Sequence, residues 1–517
     1  MNARTVFLAS ILVGGLTAEH SFAAFDPRPI TTPPLPDGAF VTDRLEIVLV
    51  NPLDPDDASA PSGKNAALRR LLKHQFQAIL EPSVGPQLAR QLDLLTTYTI
   101  RLRPGQPQQQ DKLVAIYNQL VRLFKPGLFR KSPLRHFAFV PSVSAPNYDP
   151  TDVPAEDPNQ QTVGDPTQDI TDIPAQDTPD HSWLGHEAKT IIDTARPCGT
   201  QWYQFQTKVD AAWRCDATGK GVVVADVDWG FLTEHADLAG ALDMTHFYNM
   251  CNLLPGTAAV EWVSHGTAVT GLIAARNDSS GFRGVAYDSK IWPIQAACSN
   301  GSHGSCDTDW SAVQGNPWAA AIAKVVAEPC NGCRKVLLLE TQTCTKGNIE
   351  ESIAVNEAIK RAVENNVVVV VPAGNGGKNA GEDDASNEIP ESGAIVVGAT
   401  EYGENNPPHP KSNFGDRVSV FAPGANDQDL TTSTKDDGSC NPSGGDFSWY
   451  TKTFGGTSGA AAKVAGVVAL MLEKDPSLTP EQVKETLQQT GDPLTGGEVF
   501  LNAGAAVTAV AGPKGCP

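Results

Sequence analysis

Near its carboxyl end the chain reads Gly455-Gly456-Thr457-Ser458-Gly459-Ala460, then Ala461-Ala462-Lys463-Val464-Ala465-Gly466-Val467-Val468-Ala469-Leu470-Met471-Leu472. Small and apolar residues in such a run predict a buried helix with a serine at its mouth. Beside that serine lie backbone N–H groups and the positive end of the helix dipole, a setting suited to an oxyanion. Ser458 is therefore a candidate nucleophile. It needs a base, and the base needs an orienting group.

Both partners stand upstream in matching contexts. His265 opens an apolar helical pattern in Ser264-His265-Gly266-Thr267-Ala268-Val269-Thr270-Gly271, whose small residues allow close packing and leave the ring at the helix entrance. Asp228 closes Gly221-Val222-Val223-Val224-Ala225-Asp226-Val227-Asp228 and precedes Trp229-Gly230. An apolar, β-branched stretch stopped by glycine reads as a buried parallel strand with a carboxylate at its carboxyl end. Ligand crevices of α/β sheets form at such ends.

With the order Asp, His, Ser and the segments Asp228-Trp229-Gly230, His265-Gly266-Thr267 and Gly456-Thr457-Ser458, the chain resembles the subtilisin-like serine proteases. His235-Ala236-Asp237-Leu238 corresponds to that family's His-Pro-Asp-Leu segment, and Val371-Pro372-Ala373-Gly374-Asn375-Gly376 to its oxyanion block. The resemblance covers roughly residues 200 to 510, about one large domain. It implies Asp228, His265 and Ser458 as the triad and Asn375 as the donor to the oxyanion. The competing nucleophile-elbow reading fails, because Ala460 stands where that motif requires glycine and the order Ser, Asp, His is not met. The other functional class is a catalytically silent homologue kept for binding or inhibition. Substitution at any of the four residues would favour it, and none is substituted.

At 517 residues the chain is long enough for two domains and a large core. Met1-Asn2-Ala3-Arg4, an apolar stretch from Val6 to Leu16, and Ser21-Phe22-Ala23 form a secretory signal pattern over residues 1–23. A secreted, extracellular protein is expected, released rather than anchored, since no later stretch approaches the roughly 20 apolar residues of a membrane span. The formal charge of −20 argues against nucleic acid as a partner. Protein or peptide substrates and a monomer are expected.

Ten cysteines, all from Cys198 onward, suggest disulfides in an exported protein. Local pairs are expected between Cys298 and Cys306, and between Cys330 or Cys333 and Cys344. Cys330-Asn331-Gly332-Cys333 also admits a redox or zinc reading.

Residues 25–140 contain no cysteine and alternate strand and helix patterns: strand Arg44–Val50, helix Asn65–Leu80, strand Thr97–Leu102, helix Gln109–Leu123, strand His136–Val140. This is a small α+β unit near the split βαβ pattern. The resemblance implies a propeptide there, the enzyme's own inhibitor. Residues 141–200 form an acidic, Pro-rich linker, too poor in apolar residues to fold alone and the expected region of maturation cleavage. Thr151-Asp152-Val153-Pro154-Ala155 returns within it as Thr171-Asp172-Ile173-Pro174-Ala175. From Gln201 to 517, strands and helices alternate as in an α/β fold with a mainly parallel sheet flanked by helices.

The resemblance also places substrate contacts at Ser302-His303-Gly304, on an edge strand that would pair with an extended peptide, and at Gly374. Glu340 falls in the place of the family's first specificity-pocket wall, where it would either favour basic side chains or stand as a solvated strand-end acid. No cofactor is required for the chemistry. A structural calcium site is implied at Asp237 and at Asp278 in the loop Arg276-Asn277-Asp278-Ser279-Ser280-Gly281. Two departures from the family stand out: Lys463 in the nucleophile's helix, and Asp226, which strand alternation puts on the same face as Asp228. A buried acid and a buried lysine each need a partner, so the two are expected to pair beneath the site.

Overall fold

The computed structural model describes residues 201–512 with breaks at 251–262, 278–282, 298–315, 385, 402–404, 425–428 and 434–448, together with Cys516 and the main elements between 40 and 144. The signal pattern and residues 145–200 lie outside the described residues.

The upstream unit is an antiparallel sheet of β1 (Phe40–Leu49), β2 (Ala78–Pro82), β3 (Thr97–Leu102) and β4 (Leu134–Pro141), in the order β2-β3-β1-β4. Helix α1 (Gln109–Phe124) covers one face, burying Leu113, Ile116, Tyr117 and Leu120 against Leu45, Ile47 and Ile100. Strand β2 takes Ala78, Ile79 and Leu80, so a helix running to Leu80 is corrected: antiparallel pairing with β3 outweighs the apolar spacing that suggests helix. A two-residue strand, β5 (Val143–Ser144), follows β4.

The larger unit is built on a nine-stranded sheet. Its strands are β6 (Val222–Asp228), β7 (Tyr248–Asn249), β8 (Lys290–Gln295), β9 (Arg334–Leu339), β11 (Val368–Pro372), β12 (Ile395–Thr400), β13 (Val420–Pro423), β16 (Asp492–Pro493) and β17 (Val499–Phe500). They lie in the order β16-β17-β13-β12-β11-β9-β6-β8-β7, parallel except for β16 with β17. Outside this sheet, β10 (Gln342–Thr343) pairs with β5, and β14 (Asp429–Ser433) with β15 (Trp449–Phe454).

Strand alternation sends two sets of side chains to two helical layers. Val222, Val224, Val336 and Leu338 face α2 (Val263–Ala274), while Val223, Ala225, Leu337 and Leu339 face α3 (Pro317–Ala327) and α4 (Ile353–Glu364). On the first side also lies α5 (Gly456–Lys474), mostly small and apolar and buried from Gly456 to Leu472. Buried helices on both faces of a parallel sheet define a three-layer α/β fold. After α5 comes the helix Pro480–Thr490, whose capping box joins Thr479 and Gln482. A disulfide between Cys215 and Cys516 closes the unit across a sequence separation of 301.

The two units touch at the start of α3 and α4. Glu46 of β1 is fully buried there: it accepts from Asn316 Nδ2 at 3.2 Å, Ser352 Oγ at 2.9 Å and Ala354 N–H at 3.0 Å. Asn316 and Ser352 cap these helices, so one carboxyl serves two helix N-termini.

The expected disulfide of Cys330 or Cys333 with Cys344 does not form. Cys330 and Cys333 are joined to each other, and Cys344 is disulfide-bonded elsewhere. Cys298 and Cys306 lie outside the described residues.

Candidate active site

Asp228 ends β6 on the face that meets α2 and α5, and His265 is the third residue of α2. Each Asp228 carboxylate oxygen is 2.9 Å from His265 Nδ1, and Trp229 N–H donates to Asp228 Oδ1. A carboxylate only accepts, so Nδ1 carries the proton and Nε2 is left as the acceptor. Ser458 Oγ lies 3.0 Å from Nε2. All three residues are buried.

Local sequence explains this approach. A Cβ at Gly266 would sit 2.4 Å from the Gly230 carbonyl oxygen and 2.8 Å from the Phe231 ring, so only glycine lets α2 settle against the loop after β6. Thr267 Oγ1 accepts from Leu232 N–H at 2.8 Å, pinning the same loop. The Phe454 ring meets the imidazole edge-on, with centroids 5.4 Å apart. Ser458 is the third residue of α5, and the first intrahelical bond there runs from Gly459 N–H to the Gly455 carbonyl at 3.1 Å. The Ser458 N–H thus belongs to the helix end whose donors point outward.

Asn375 follows β11. Its Oδ1 accepts from Thr457 N–H at 3.0 Å and Thr457 Oγ1 at 3.1 Å. Because the backbone N–H can only donate, the oxygen end of the amide is assigned, and Nδ2 is its donor end. Gln342 Oε1 takes the Asn375 N–H at 2.9 Å.

Asn413 holds the rest of this loop, and sequence reasoning missed it. It accepts from Gly376 N–H at 2.9 Å and Lys378 N–H at 3.1 Å, and donates to the Lys346 and Ala373 carbonyls at 2.8 Å each. A lone Asn so far along the chain carries no local signal of this role. Gly374 takes φ +98°, and a Cβ there would meet Asn413 Nδ2 and the Lys346 carbonyl oxygen at 2.6 Å.

Asp226 and Lys463 are both fully buried but take different partners, which corrects the expected pair. Lys463 Nζ donates to the Pro423 carbonyl at 2.7 Å and the Gly459 carbonyl at 3.1 Å, and lies 4.7 Å from the Tyr203 ring centroid. Asp226 Oδ2 accepts from Thr270 Oγ1 at 3.1 Å. Burial first, then the Asp228 charge, push the Asp226 carboxyl well above the ordinary range, and the Thr270 bond pulls it back only in part. Carbonyls at the end of β13 and within α5 satisfy the ammonium that sequence would assign to an acid.

Glu340 is 0 % exposed and faces the triad, so the reading as a pocket wall for basic side chains is corrected. Asp237 is buried in the turn Ala236–Leu238, and its carbonyl accepts Arg276 N–H at 3.1 Å. Asp278 lies outside the described residues, as do Ser302, His303 and Gly304. Among the described residues no group of three or more His, Cys, Asp or Glu could hold a metal ion, and no helix is long and apolar enough to cross a membrane.

A three-layer α/β fold with a buried Asp–His–Ser relay at the carboxyl ends of its strands is the subtilisin-like arrangement. Residues 219–505 match the subtilase family, Peptidase_S8, and the chain belongs to that family. It is 31% identical over 333 residues to an extracellular protease of Xanthomonas campestris, a match covering 57% of this chain and 52% of the relative. To Subtilisin Savinase of Lederbergia lenta it is 30% identical over 310 residues, covering 59% of this chain and 97% of the relative. The chain thus spans about half the length of the Xanthomonas protein. Fervidolysin of Fervidobacterium pennivorans shares the fold, with a TM-score of 0.54 at 21% identity, covering 92% of this chain and 62% of that one.

Proposed function

We propose that this chain is a secreted serine endopeptidase made as a zymogen. The observation that carries the reading is the pair of contacts on one imidazole: Asp228 at 2.9 Å on Nδ1 and Ser458 Oγ at 3.0 Å on Nε2. His265 takes the Ser458 proton as Oγ attacks a peptide carbonyl, then returns it to the leaving amine. Asp228 holds the tautomer and stabilises the imidazolium. Asn375 Nδ2 and the Ser458 N–H receive the oxyanion, each such donor lowering the barrier by about 3 kcal/mol.

Relatives named as extracellular proteases support both peptide substrates and export. The antiparallel pairing of Val143–Ser144 with Gln342–Thr343, just beyond Glu340, supports reading the end of the upstream unit as an extended, substrate-like strand and that unit as the enzyme's own inhibitor. Maturation then cuts the chain downstream of Ser144. Replacing Ser458 by Ala abolishes both peptide hydrolysis and maturation in this account. Undiminished hydrolysis, or active enzyme that begins at Phe25, would contradict it.

The calcium reading rests on Asp237, whose buried turn is tied to Arg276 at the start of the implied loop. Asp237 and Asp278 would hold the ion and stabilise the fold, with no part in the chemistry. An unfolding temperature that is the same with calcium and with chelator would remove it.

A further inference from the structure

Glu340 stands where β9 ends, and no step above uses it. Its N–H donates to the Val227 carbonyl at 2.9 Å, which seats it beside the last residues of β6. Two residues earlier Leu338 packs in the core toward α2 and α5, so strand alternation carries Glu340 to that same face, where β6 presents Asp226 and Asp228. The residue is 0 % exposed, and neither carboxyl oxygen has a hydrogen-bond partner.

Among the described residues, the charged and titratable groups on the elements packed around it bear on its state. From β6 come Asp226 and Asp228, from α2 His265, already bonded to Asp228, and from α5 Ser458 and Lys463. Lys463 is engaged with the Pro423 and Gly459 carbonyls. Strand β11 brings Val370, Val371 and Pro372, which carry no charge. A buried carboxylate facing two further acids is costly. Burial first, then Asp228 and Asp226, push the Glu340 carboxyl well above the ordinary range, and the nearby Ser458 hydroxyl offsets only part of this.

The geometry points to Glu340 as a positioning residue of the Asp228–His265–Ser458 relay, a buried acid set against the relay's own carboxylate whose negative charge, when present, impairs the attack. The inference rests on the peptidase reading. During attack the Ser458 proton moves to His265 Nε2, Oγ bonds to the carbonyl carbon, and the π pair moves to the carbonyl oxygen. Glu340 neither gains nor loses a proton in this step. While it is neutral, Asp228 is the carboxylate that balances the imidazolium. Once ionised, Glu340 adds a negative charge beside Ser458, where it repels the growing oxyanion.

The test is the pH profile of kcat and KM for the matured native enzyme and its Glu340→Gln variant, with an uncharged peptide substrate. The ratio of variant to native kcat/KM should rise as pH rises, by about tenfold across the profile, in kcat rather than KM. Glu340→Asp, still ionisable, should keep an alkaline fall. If Glu340→Gln does not mature, Glu340→Met supplies the same comparison. A ratio independent of pH would overturn the inference, and so would an effect confined to KM for substrates with basic side chains. Ser458→Ala, assayed alongside, separates the two claims: hydrolysis by that variant would defeat the peptidase reading itself.

Discussion

Asn375 and Thr457 are bound twice, the amide oxygen of the first accepting both the backbone N–H and the hydroxyl of the second. Thr457 precedes Ser458 in α5, so the arm proposed to receive the oxyanion is fastened to the helix that carries the proposed nucleophile. Asn375→Ala is expected to lower kcat by about 10²–10³ with little change in KM. Thr457→Val, which keeps the backbone donor and loses the hydroxyl, should lower it by about fivefold. Steady-state kinetics on both variants checks the order of these effects.

Gly374 is held in a left-handed conformation at φ +98° with Asn413 and Lys346 against the site of a Cβ. Gly374→Ala must shift the loop that carries Asn375, costing about 1–3 kcal/mol. The expected result is a lower unfolding temperature together with a kcat loss comparable to that of Asn375→Ala. Native kinetics in the alanine variant would show that the loop tolerates the side chain.

Burial raises the Asp226 carboxyl well above its ordinary range, so the native state keeps a proton that the unfolded chain releases. The stability tied to that proton is complete below the unfolded value of about 3.9 and is lost as pH rises toward the native one. Asp226→Asn removes this loss. In a Ser458→Ala background, denaturant unfolding should show the Asn variant gaining on its parent by up to about 1.4 kcal/mol per pH unit above pH 4. A constant difference across pH would count against a protonated Asp226.

Glu46 carries the same sign across the contact between the two units. Burial raises its carboxyl, with bonds from Ala354, Asn316 and Ser352 opposing. Docking is therefore strongest below the free carboxyl value of about 4.3 and weakens as pH rises through the docked one. Hydrogen exchange in β1 of full-length Ser458→Ala protein, corrected for intrinsic rates, should show protection falling from pH 5 to pH 8. Glu46→Gln should flatten that dependence.

Where a role is local, the sequence was readable. Asp228 at a strand end and Ser458 at a helix mouth are each set by residues within one turn or strand, and the geometry brings them to one imidazole. Glu340 was readable in principle, because alternation from Leu338 puts it on the triad's face. Its place in the family's specificity wall suggested a pocket instead. Long-range satisfaction was not readable. Nothing near Lys463 announces the Pro423 carbonyl, nothing near Asn413 announces the loop it holds, and the Cys215–Cys516 bond joins positions at a sequence separation of 301. In the upstream unit, apolar spacing suggested a helix through residues 78–80, where pairing with β3 makes a strand.

The central claim is that Ser458 is a nucleophile activated by His265 and Asp228. Labelling the matured protein with a fluorophosphonate, followed by peptide mapping, tests it most directly. The account predicts one adduct, on Ser458, lost in His265→Ala and slowed about 10⁴-fold in Asp228→Asn. Failure to label, or an adduct on another serine with hydrolysis intact in Ser458→Ala, would contradict it.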